Sequence, residues 1–244
     1  ISNNLGGGGT VNSSQVVKKP LALFADEFKI AWFIEGKPLR SKYEVSWWYD
    51  ELFTVFTAAL PIWILYGYFP VAIAEVTDSQ IVKDAATHRN TWIFYYAGHG
   101  GRDEGAISNH ISPGGDVLGV VRVYPRNIRI REDGQRTDTK IVFLNSCRSF
   151  SDEFADAFGI DGKHMWNNKE YTRGEAFIGW KDLSDIPEGS NFAMEFWLLM
   201  GSQRTVTESI NYIKNIDQKF DYNLFHSNDI GTIDPESAMS TIVP

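Results

Sequence analysis

Two residues that can do covalent chemistry together each follow an apolar run of similar length. Trp92-Ile-Phe-Tyr-Tyr-Ala97 is followed by Gly98-His99-Gly100-Gly101, and Lys140-Ile-Val-Phe-Leu-Asn145 by Ser146-Cys147-Arg148. Cys147 is the single cysteine of the chain. A thiol becomes a useful nucleophile at neutral pH when a base or a positive neighbour takes its proton, and an imidazole supplies either. The glycines after His99 leave room for a substrate carbonyl against the backbone, so the N–H groups of Gly100 and Cys147 are candidates for an oxyanion hole. Taken singly, each residue has a plainer reading: an inert buried or chance surface thiol, and a histidine in a surface turn. Their shared position, each opening a loop at the end of an apolar run, argues against coincidence.

The elements that must position these residues are legible as alternation. Short apolar runs separated by helix-like stretches predict a parallel α/β sheet. The candidate strands are Leu21 to Ala25, Val71 to Val76, Trp92 to Ala97, Lys140 to Asn145 and Ala176 to Trp180, nearly continuous apolar runs of the kind covered on both faces. Helical spacing is expected over Trp48 to Leu60, Asp78 to His88, Asp152 to Phe158, Phe192 to Met200 and Val206 to Phe220, with Asp78 and Asp152 as N-caps. In the last of these Val206, Ile210, Ile213 and Ile216 form one stripe suited to a sheet face. Val117 to Val123 and Asn127 to Ile130 flank Tyr124-Pro125-Arg126 as an expected hairpin. In such a sheet, ligands bind beyond the carboxyl ends of the strands, where His99 and Cys147 lie.

Composition removes several classes of function. Among 244 residues, 31 acidic against 23 basic side chains leave no footprint for a nucleic-acid backbone. One cysteine excludes an internal disulfide, and eight tryptophans argue against disorder. Residues 1–19, with the run Gly6 to Gly9, read as a flexible lead-in, and 20–244 as a single domain. The glycine run lacks the lysine and hydroxyl ending of a phosphate loop. The start at Ile1 suggests a trimmed or processed N-terminus. Val55 to Ala74 is uncharged and long enough to span a bilayer, but Pro61, Gly67 and Pro70 divide it, which favours a helix end, a turn and a core strand. A soluble protein is expected, with cytoplasm and secretion both open.

The residues resemble a known family. Tyr95-Tyr-Ala-Gly-His-Gly-Gly101 is similar to the histidine-glycine block of the caspase-like cysteine peptidases, and Val142-Phe-Leu-Asn-Ser-Cys147 to their cysteine block. The separation of about fifty residues also fits. Ala176-Phe-Ile-Gly-Trp180, Asp185, Phe196-Trp-Leu-Leu-Met-Gly201 and Thr205-Val-Thr-Glu-Ser-Ile210 resemble the bacterial gingipain-like and CHAT-like branch. Residues 28–69 match no part of it. The resemblance implies a three-layer α/β sandwich with a mostly parallel sheet and helices on both faces, and a peptide or protein as substrate. It implies Cys147 as nucleophile, His99 as the proton donor to the leaving amine, Gly100 and Cys147 as the oxyanion hole, and no metal or cofactor in the chemical step.

For the substrate pocket the resemblance points to Asn145, two before the cysteine, and to the segment Lys181 to Asp185. A neutral Asn145 weighs against a strongly basic preference, whereas Asp182 or Asp185 offers a partner for arginine or lysine. Asp185 serves equally as a helix cap, and Asp26 with Glu27 could face the cleft. Arg122, Arg126, Arg129, Arg131 and Arg136 read as the solvent face of the hairpin, or as a self-cleavage site. His110 and His164 read as loop residues. Asp152, Glu153 and Asp156 could suggest a structural calcium, although a helix start favours acidic residues anyway. Two rival functions remain: a catalytically silent interaction module of the same fold, and an α/β small-molecule binding domain.

Overall fold

The computed structural model describes residues 29–37, 51–60, 67–102, 109–113, 121–131, 134–135, 137, 139–160, 164–166, 169–171, 175–182, 186–220 and 230–233. The predicted run Leu21 to Ala25, Asp26 and Asp185 lie outside them. Six strands form the central sheet: β1 (Lys29–Gly36), β2 (Tyr68–Val76), β3 (Thr91–Ala97), β6 (Ile141–Asn145), β9 (Ala176–Trp180) and β10 (Ile230–Ile233). Their spatial order is β10-β9-β6-β3-β1-β2. All pair in parallel except β10, which runs antiparallel to β9. Two antiparallel ribbons stand apart from the sheet: β4 (His99–Arg102) with β5 (Asn109–Ser112), and β7 (His164–Trp166) with β8 (Lys169–Tyr171).

Helices cover both faces, giving three layers. On one face α1 (51–60), α4 (Ile186–Gly201) and α5 (Val206–Phe220) pack on Phe33, Tyr95, Phe143 and Ile178; on the other, α2 (Ser79–Thr87) and α3 (Asp152–Ala157) pack on Trp32, Phe94, Val142 and Phe177. The two residue sets alternate along each strand, as side chains of a sheet buried on both faces must. Phe33, Tyr95 and Phe143 lie in register across β1, β3 and β6, with ring centroids 5.7 and 5.4 Å apart. Such contacts add about 0.5–1.5 kcal/mol each beyond burial.

The sheet departs from expectation at one side. β1 lies between β2 and β3, inside residues 28–69, and Ile30 to Ile34 is an apolar run of the same kind as the predicted strands. β2 is the edge strand, so it is not covered on both faces: Ala72, Ala74 and Glu75 are exposed. The edge is also where Pro70, which cannot donate to a ladder, is tolerated. The uncharged stretch 55–74 divides into the end of α1 and the start of β2, with 61–66 outside the described residues. Among the described residues no helix is long and apolar enough to cross a membrane.

Local signals account for three of the helix starts. Asp78 caps α2, its carboxylate accepting from Gln80 N at 2.8 Å. For α3 the cap is Ser151, accepting from Phe154 N at 3.2 Å, and not Asp152. Asp152 and Glu153 instead occupy the first turn, where the helix dipole favours them. Thr205 and Glu208 form a reciprocal box at α5, at 3.1 and 2.9 Å. Of the predicted hairpin around Tyr124, residues 117–120 lie outside the described residues, and the described part shows no pairing of its two arms. Pro125–Asn127 is a short 3-10 turn with Pro125 buried, and Val123 bridges Ile111 instead. Proline at the first position of a tight turn supplies the preset φ that such a turn needs.

Candidate active site at the ends of two central strands

β3 and β6 are adjacent and parallel, with Ala97 opposite Asn145. Two runs far apart in sequence therefore end at the same level, and the loops that carry His99 and Cys147 start side by side. Gly98 N–H donates to Asn145 O at 3.1 Å, extending the ladder by one bond. Gly98 has φ +152°, and a Cβ there would lie 2.6 Å from the Tyr96 hydroxyl. At Gly100 a Cβ would lie 2.7 Å from Cys147 O and 2.9 Å from Ser146 Oγ. The strand holding His99 thus runs directly against the Ser146–Cys147 backbone, an approach that only glycine permits. His99 and Cys147 are both half-buried. The Tyr96 hydroxyl donates to His99 O at 3.3 Å.

His99 opens a strand rather than a turn. It pairs with Ser112 across the β4/β5 ribbon, and Gly101 pairs with His110. His110 is not a loop residue; it is buried at 2% exposure, with its ring 3.5 Å from where a Gly101 Cβ would sit and 5.7 Å from the Tyr124 ring. His164 likewise lies in a strand, β7.

The Cys147 turn is held by hydrogen bonds to the end of β9. Ser149 Oγ donates to Leu144 O at 2.7 Å and accepts from Trp180 N at 3.1 Å. Phe150 N–H donates to Trp180 O at 2.9 Å, and Arg148 N–H to Asp182 O at 2.8 Å. Arg148 Nε also meets Asp182 Oδ1 at 3.1 Å. Arg148 adopts φ 52°, a left-handed conformation that costs a non-glycine residue about 1–2 kcal/mol. Backbone held in such a conformation beside a reactive group is a recurrent feature of functional sites.

Beneath this junction lies a buried polar group that the sequence did not reveal. Glu51 of α1 accepts from Tyr95 Oη and Ser190 Oγ, and from Asn145 Nδ2 at 2.8 Å. Trp180 Nε1 donates to Asn145 Oδ1 at 2.7 Å. The Asn145 side chain is therefore engaged at both ends by the protein itself. Burial pushes the Glu51 carboxyl up, against the lowering effect of its hydrogen bonds from Ser190, Tyr95 and Asn145. Glu35, in register with Ala97 and so in the same row as Asn145, is 2% exposed. Burial first, then the charges of Glu51 and Glu75, push its carboxyl up to about 8. Glu35 was discoverable, since it ends an apolar run as Asn145 does. No spacing connects Glu51 to Asn145, 94 positions away.

Among the described residues no group of three or more His, Cys, Asp or Glu side chains is arranged to hold a metal ion. Asp156, one of the acidic residues considered for calcium, pairs with Arg129 at 2.8 Å. Of the basic stretch, Arg126 stacks on Tyr124 at 4.2 Å and is exposed with Arg129, Arg122 and Arg131 are half-buried, and Arg136 lies outside the described residues. The junction belongs to an α/β protein with a mostly parallel sheet and a candidate site at its carboxyl end. No family model matches the chain, and no curated protein is detectably similar to it.

Proposed function

We propose that the protein is a caspase-like cysteine endopeptidase of the gingipain-like and CHAT-like kind, working through Cys147 and His99. The observation that carries this reading is the packing of Gly100 against the Cys147 carbonyl, with β3 and β6 as neighbours. The Cys147 thiolate attacks the peptide carbonyl, the C–N bond breaks as His99 protonates the amine, and a thioester remains. Water then cleaves the thioester and restores the thiol. The Gly100 and Cys147 N–H groups stabilise the oxyanion. A silent module of the same fold needs neither side chain at this junction, which favours the enzyme.

A basic residue before the cut is the proposed preference. Asp182, in the segment bonded to the Cys147 turn, supports it, because an exposed carboxylate there is a partner for arginine or lysine. Cys147→Ala and His99→Ala are each expected to lower peptide cleavage at least about a thousandfold, measured with a fluorogenic peptide library. Iodoacetamide is expected to label Cys147. Full activity in either variant ends the reading.

A further inference from the structure

Asp182 is the acidic pocket candidate among the described residues, and its ion-pair partner, Arg148, directly follows the proposed nucleophile in sequence. The contact has two points, backbone and side chain, from the same two residues. Arg148 takes a left-handed φ in this arrangement, where glycine would be the unstrained choice. A glycine would leave the Asp182 carboxylate without this guanidinium; the arginine pairs with one of its oxygens.

Resting on the peptidase reading, we propose that Arg148 is a specificity-determining residue, an internal guanidinium that holds the Asp182 carboxylate against a substrate's arginine or lysine. A substrate cation competes for Asp182 with a tethered group of the same chemistry, whose local concentration is set by a very short tether. Selectivity for basic side chains is thereby lowered in the resting enzyme and rises when Arg148 is removed. The pair is half-exposed on the arginine and more so on the aspartate, with side-chain exposures of 44% and 69%, so the effect is that of a solvent-screened ion pair.

The test compares two fluorogenic peptides that differ only in arginine or neutral, isosteric citrulline before the cut. The readout is the ratio of their kcat/KM values. Arg148→Gln is expected to raise the arginine-to-citrulline ratio by up to about fivefold, and Arg148→Gly, which also removes the backbone strain, to do the same. Asp182→Asn is expected to lower the ratio, and Arg148→Gln added to it to give no further rise. An unchanged ratio in both Arg148 variants, or a rise that persists with Asp182→Asn, overturns the inference while leaving the peptidase reading intact. No cleavage by any form, together with an unreactive Cys147, overturns the peptidase reading and this inference with it.

Discussion

The two loops that meet at the site are built in opposite ways. The His99 side relies on absent side chains: Gly98 and Gly100 let β4 cross where any Cβ would strike Tyr96 or the Cys147 backbone. The Cys147 side relies on bonds made: Ser149, Phe150 and Arg148 tie the turn to Trp180 and Asp182. A site built on close approach fails abruptly when volume is added, because packed backbone has nowhere to go. A site held by several hydrogen bonds loses them one at a time, about 1 kcal/mol each.

This difference orders the expected effects. Among variants that keep Cys147 and His99, Gly100→Ala is expected to be the most damaging, since its methyl must displace the Cys147 carbonyl. A shift near 1 Å there lowers kcat by about a hundredfold, measurable as cleavage rate in a variant whose circular dichroism stays folded. Retention of full activity would show that the two loops do not depend on close contact.

Glu35 sharpens the contrast, because it belongs to neither mode. Its carboxyl is raised from 4.5 to about 8 by burial. Between those values the folded protein keeps a proton that the unfolded chain has lost, so stability falls as pH rises. The slope is at most about 1.4 kcal/mol per pH unit, and it flattens above about pH 8. Urea denaturation at pH 5, 6, 7 and 8 is expected to show it, and Glu35→Gln to reduce it, leaving the share from the raised Glu51 carboxyl.

The smallest effect is expected from the bonded side. Ser149→Ala takes away the acceptor used by Trp180 N–H and the donor to Leu144 O, lowering stability by about 2 kcal/mol. If it instead lowers cleavage as strongly as Gly100→Ala, the Cys147 turn is as intolerant as the glycine side and the contrast collapses.

Much of this arrangement was readable before any coordinates. Trp92 to Ala97, Lys140 to Asn145 and Ala176 to Trp180 declare themselves as strands because burial on both faces demands continuous apolar runs, and β3, β6 and β9 occupy them. The α5 stripe is equally local: Val206, Ile210 and Ile213 are buried and Ile216 is half-buried, in keeping with helical spacing. β1 was missed although Ile30 to Ile34 carries the same signal. The hairpin around Tyr124 was misjudged because a proline turn and two apolar flanks do not specify which strands pair.

By itself the sequence determined which residue types end which apolar runs, and so that His99 and Cys147 each stand just past the end of one. Side-chain periodicity and burial are local, and a local pattern suffices for that. Only the tertiary structure decided that β3 and β6 are neighbours, that Gly100 lies on the Cys147 carbonyl, that Glu51 sits beside Asn145, and that Arg148 holds Asp182. Strand order and contacts between distant residues are set by how the whole core packs, and no local pattern encodes them.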